Sequence, residues 1–143
     1  MICEMSRTER LERWATVLEG YDQTPLSPFR EVEFLAGATV APLRQANSPL
    51  SVAYDDPVLR RAGLESDRYG EGTDFFGLSR GQSHRLLCSC GYMGAMRGTE
   101  VAKRIRHIVA REQRQAWRPA NPLPALARWL SGWLPIARPA RSA

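Results

Sequence analysis

Residues 99–118 read TEVAKRIRHIVAREQRQAWR. Val101, Ala102, Ile105, Ile108, Val109 and Ala116 recur there at the 3.6-residue period that gathers apolar side chains on one face of an α-helix. Thr99 opens this helix and Pro119 halts it, because proline cannot donate to the ladder and clashes with the preceding turn. The other face is basic, formed by Lys103, Arg104, Arg106, His107, Arg111, Arg114 and Arg118. A long helix with one apolar face needs partners to cover it, and the flanking sequence supplies helices.

Ser79-Arg80-Gly81-Gln82 has the form of a capping box, in which the serine accepts from an early backbone N–H and the glutamine reaches back. It predicts a helix from about Arg80 to Ser89 that buries Leu86, Leu87 or both, followed by a turn of glycines and methionines over 91–98. Ser6-Arg7-Thr8-Glu9 repeats the logic and starts a helix that runs to Glu19, with Leu11, Trp14, Ala15 and Leu18 on one side and Gly20 ending it. Asp56-Pro57 is a third start, for a short helix that stops at Gly63.

The stretch 21–57 carries Pro25, Pro28, Pro42, Pro49 and Pro57 and is expected to be irregular, including the brief strand-like run Phe29 to Leu35. Residues 65–72 suggest a surface loop, and Phe75 and Phe76 a return to the core. Beyond the long helix, Pro119, Pro122 and Pro124 form a stiff linker. Leu126, Leu130, Trp133 and Leu134 then make residues 123–134 amphipathic, before a tail expected to be disordered. The expected fold is all-α. It is a small helical domain of about four to six helices over residues 1–118, with a Pro-rich linker, short amphipathic helix and tail over 119–143.

The 143 residues, 43% of them hydrophobic, suffice for one core without covalent staples. Charge is divided unevenly: residues 1–79 carry a net −5 and residues 80–143 a net +10. Such a split suits either an acidic partner or attraction between the halves of the chain. Lys103 is the only lysine among 20 cations, a bias that GC-rich coding of a bacterial type produces unaided. The N-terminal residues lack a secretory apolar core, no apolar run approaches a membrane span, and three cysteines do not make a disulfide framework. A cytoplasmic setting is expected.

His84, Cys88 and Cys90 are the one compact cluster of soft ligands, with His84 and Cys88 spaced to share a helix face. They are candidate ligands for zinc, with His107, Cys3 or a carboxylate as fourth donor. As a redox thiol, either cysteine would rely on Arg80, Arg85 and Arg97 to favour the thiolate. A Cys-His catalytic pair lacks a family signature and a third orienting group. Gly91-Tyr92-Met93-Gly94 has the letters of a backbone-clamping KH loop without its basic residues or flanking strands, and no phosphate-binding loop occurs.

The helix pair over 80–117 has the order of a helix-turn-helix, though its connection is long. Trp129 and Trp133 make 123–134 a candidate for docking on a membrane surface, a partner or a second copy, with the membrane surface disfavoured. These residues favour a non-enzymatic binding or regulatory protein. Its basic surface of Lys103, Arg104, Arg106, Arg111, Arg114 and Arg118 would meet nucleic acid or an acidic protein.

Overall fold

A computed structural model describes residues 4–21, 24–34 and 40–118. The expected linker, the helix over 123–134, the tail and Cys3 lie outside the described residues. Among the described residues six α-helices follow one another: α1 (Arg7–Glu19), α2 (Pro49–Asp55), α3 (Pro57–Arg61), α4 (Tyr69–Phe75), α5 (Arg80–Leu87) and α6 (Gly98–Ala116). Short 3-10 turns lie at Glu31–Phe34 and Ser89–Gly91. No strand occurs among the described residues, so the all-α expectation holds. Two compact units divide the chain, Met1–Glu112 and Gln113–Ala143. Of the second, residues 113–118 are described and all are exposed.

Both capping boxes form. Glu9 N donates to Ser6 Oγ (3.3 Å) while Ser6 N donates to Glu9 Oε2 (2.7 Å), and Ser79 and Gln82 exchange bonds of 3.2 and 2.9 Å in the same way. Asp56 caps α3 through Leu59 N, with Pro57 in the first turn. Ser48 and Pro49 start α2 by the same pairing, inside the stretch expected to be irregular. Helix α4 also replaces an expected loop. No side chain caps it; Leu43 and Ala41 carbonyls instead accept from Tyr69 N and Gly70 N, both at 2.9 Å. A side chain at Gly70 would crowd the Ala41 backbone, so glycine permits this approach.

The core surrounds Trp14, which is fully buried and stacks on Phe76 with ring centroids 4.1 Å apart. Its indole N–H donates to the Pro49 carbonyl (2.9 Å), so the one polar atom of this side chain is satisfied inside the core. Phe76 is core as expected, whereas Phe75 is only half-buried and carries the Arg10 guanidinium over its ring at 4.6 Å. The polar side of α1 pairs with distant elements. Arg13 binds Asp56 bidentately (2.8 and 3.0 Å), Arg7 binds Glu112, and Glu12 and Glu19 bind Arg106.

Helix α6 buries Val101, Ala102, Ile105 and Val109. It begins where Gly98 lies against the Leu18 carbonyl, a place in which any Cβ would overlap that oxygen. Gly98→Ala should therefore destabilise the domain by about 1–3 kcal/mol, since backbone must move to admit the methyl group. Gly81 has nothing within 4 Å of the corresponding position. Gly81→Ala should stabilise by about 0.5–1 kcal/mol through helix propensity alone. Urea denaturation of the two variants should give midpoint shifts of opposite sign.

The Arg13 guanidinium, helped by the Leu59 N–H and opposed by burial, holds the Asp56 carboxyl below the ordinary carboxylate range. The folded protein therefore binds this proton less readily than the unfolded chain. The resulting stability is fully present above the unfolded pKa and disappears as pH falls through the depressed folded value. Asp56→Asn should cost about 1.5–3 kcal/mol at neutral pH, the usual worth of hydrogen bonds to a charged group. Denaturation midpoints of wild type and variant should converge as the solution is acidified below pH ~4.

Candidate functional site

The basic side of α6 divides into two kinds of residue. Arg106 and Arg104 turn toward the protein. Arg106 pairs with Glu12 (3.3 Å) and Glu19 of α1, and those carboxylates, Glu19 foremost, raise its pKa further. Arg104 donates to the Arg85 carbonyl (3.1 Å), pairs with Glu100 (3.3 Å) and lies 4.0 Å over the centre of the Tyr92 ring. Lys103, His107 and Arg111 point outward: each is exposed, and none makes an ion pair with a described residue. Arg114 and Arg118 belong to the second unit and are also exposed.

Successive members of the Lys103, His107, Arg111 series stand about 6 Å apart along the helix, at 1.5 Å per residue. Beside them a depression of about 590 Å³ runs between α5 and α6, lined by Arg85, Leu86, Lys103, Arg104, His107 and Ile108 among others. In the sequence Arg85 stands beside His84 as a neighbour of the cysteines. The topology gives it a second setting, since its exposed side chain joins the cations of α6. The connection over 88–97 exceeds the three or four residues of a helix-turn-helix, and no strands flank Gly91–Gly94 as a KH loop requires.

His84, Cys88 and Cys90 do come together. One ligand atom from each lies within 4.8 Å of the others. The Cys90 thiol donates to Cys88 Sγ (2.9 Å) and sits 3.5 Å from His84 Nε2. Their positioning differs from the shared helix face read from the spacing. Helix α5 ends at Leu87, and Cys88 is its extended C-cap, with φ −82° and ψ 140°. Phe29 holds it there, because Phe29 N donates to the Leu87 carbonyl (2.8 Å) and the Phe29 carbonyl accepts from Ser89 N (2.9 Å).

The 3-10 turn Ser89–Gly91 then brings Cys90 back toward His84, whose ring meets the edge of Phe34 with centroids 4.9 Å apart. Tyr92 closes the loop, its hydroxyl donating to the Leu86 carbonyl (2.7 Å) and its own ionisation pushed up to about 12 by burial. His107 lies on the outer face of α6 and is no part of the cluster.

The Cys90 thiol is pushed up to about 11, chiefly by its hydrogen bond to Cys88, then by burial, with the Cys88 and Glu31 charges adding to it. This reverses the expectation that Arg80, Arg85 and Arg97 draw a thiolate from it. Sharing a proton with a second sulfur favours the neutral thiol.

No family model, curated protein or solved structure matches the chain. No helix among the described residues is long and apolar enough to cross a membrane.

The arrangement makes Arg104 the clamp on the loop that carries Cys90. Arg104→Ala removes a guanidinium–ring contact and a hydrogen bond, together worth about 1–2 kcal/mol. The amides of Gly91 and Tyr92, which donate to the Cys88 and Ser89 carbonyls, should then exchange with deuterium about tenfold faster, with little change in α1.

Proposed function

We propose that this chain is a non-enzymatic binding protein that lays the outer face of α6, with Arg85 beside it, against the phosphate backbone of nucleic acid. The observation that carries this reading is the outward row Lys103, His107, Arg111, exposed and free of carboxylate partners among the described residues. The remaining basic residues of α6 in the same unit, Arg104 and Arg106, are occupied inside the protein. Both also line the depression beside the outward row.

Contacts of this kind position a protein on phosphates and carry no sequence information by themselves. The depression between α5 and α6 offers a concave, cation-lined edge on which a backbone strand can rest. A cytoplasmic setting accords with this role and with the free thiols of Cys88 and Cys90.

Fluorescence anisotropy with a mixed-sequence duplex across a salt series tests the proposal. Contacts from Arg85, Lys103 and Arg111 should give a plot of log K against log salt with a slope of about −3. Lys103→Ala and Arg111→Ala should each reduce that slope by about 0.9. Arg106→Ala should lower stability and leave the slope unchanged. Absence of binding at low salt, or undiminished binding by the Lys103→Ala/Arg111→Ala double variant, would overturn it. Retention by an acidic protein in place of the duplex would redirect the same surface to a different partner.

A further inference from the structure

We propose that His84, Cys88 and Cys90 form a zinc site, supplying three of the ligands of the ion. The inference is independent of the nucleic-acid reading, since none of the outward cations belongs to the cluster.

Three observations converge. The donor set of two sulfurs and one imidazole is the one that selects zinc over magnesium, calcium or manganese, which prefer oxygen. The distances are close to those the ion needs. Bonds of about 2.3 Å to sulfur and 2.0–2.1 Å to nitrogen at tetrahedral angles place a sulfur and a nitrogen about 3.6 Å apart and two sulfurs about 3.8 Å apart. Cys90 Sγ and His84 Nε2 are already 3.5 Å apart, while the two sulfurs, at 2.9 Å, must open by about 0.9 Å to reach the tetrahedral value. Cys90 is exposed on a 3-10 turn, so rotation of its side chain can supply that movement without disturbing the core.

The third observation is that each ligand is held from outside the cluster. The Phe29 bridge fixes Cys88, the Phe34 edge sets the His84 ring, and the Tyr92 hydroxyl with the Arg104 clamp fixes the loop of Cys90. Gly91 lets that loop lie on α5, since a Cβ there would come within 3.0 Å of the Arg85 carbonyl oxygen. An apolar role accounts for Cys88, which is fully buried. It does not account for an exposed cysteine turned back onto a buried one beside an imidazole.

Binding requires both thiols to become thiolates, so each zinc ion taken up releases the protons those thiols carried, and affinity falls with falling pH.

Titration of the reduced full-length protein with cobalt(II), followed by displacement with zinc, tests the site. One cobalt per chain should produce a thiolate-to-cobalt charge-transfer band and the intense visible absorption of a tetrahedral ion, both lost when zinc is added. Cys90→Ser and His84→Gln alter residues outside the core, and circular dichroism verifies their fold. Each should weaken metal binding by at least about 100-fold, beyond the 10–100-fold typical of losing only an outer-shell partner. Absence of the charge-transfer band in the reduced protein would overturn the proposal. So would a band of undiminished strength in Cys90→Ser. Failure here leaves the salt-dependent binding of nucleic acid to be decided by its own experiment.

Discussion

Burial of the Trp14 indole is the constraint on which the rest of the domain depends. A side chain of that size brings a large hydrophobic gain only if its N–H finds a partner and its face finds a ring. Pro49 supplies the acceptor and Phe76 the ring, from two segments far apart in sequence. Helices α2 and α4 are therefore drawn onto α1 by one residue. Leu11, Ala15 and Leu18 complete the buried stripe, and Leu18 also meets Gly98 at the start of α6 through backbone contact. Around this core the polar side of α1 engages α3 through Arg13 and α6 through Arg7, Glu12 and Glu19.

What could be read from the sequence follows from where each element finds its termination signals. Helices α1, α3 and α5 carry their caps in their own side chains, and α6 has an apolar face long enough to declare its period. All four were legible. Helix α2 has the same kind of cap at Ser48 and Pro49, but the surrounding prolines obscured it. Helix α4 was hidden for a deeper reason. Its N-terminal donors are satisfied by carbonyls of Ala41 and Leu43, and two of its seven positions are glycines chosen for close approach and not for propensity. No local pattern records a contact of that kind. The grouping of His84, Cys88 and Cys90 was legible from spacing, yet the geometry that produces it depends on Phe29, Phe34 and Tyr92, which nothing in the local sequence connects to it.

The division of charge along the chain also resolves into separate physical roles. Part of it is consumed internally: Arg106 meets Glu12 and Glu19, a basic residue of the second half against acids of the first. Traffic runs the other way through Arg7 and Glu112. Lys103 and Arg111 remain on the outward side of α6, without an ion pair among the described residues. One helix thus uses its apolar face for the core, its flanking arginines to hold α1 and the Cys90 loop, and its far side for solvent. Substitutions on the three sides should be separable in their effects, because the residues involved share no partners.

The pairing of α1 with α6 has a consequence for how the chain is made. Arg7 and Glu112 are 105 positions apart, and Arg106 is 94 positions from Glu12. During synthesis α1 emerges long before its partners, so its Leu11, Trp14, Ala15 and Leu18 face is covered only in steps, as Pro49, Phe76 and Gly98 are added in turn. A helical protein ordinarily folds fast because its contacts are local, and here the closing contacts are among the least local in the domain. Nascent chains shorter than about residue 98 therefore present at least part of the core stripe of α1 without its natural cover, since Leu18 meets the backbone at Gly98. That is the interval in which a ribosome-bound intermediate of this protein is exposed to aggregation and to chaperones.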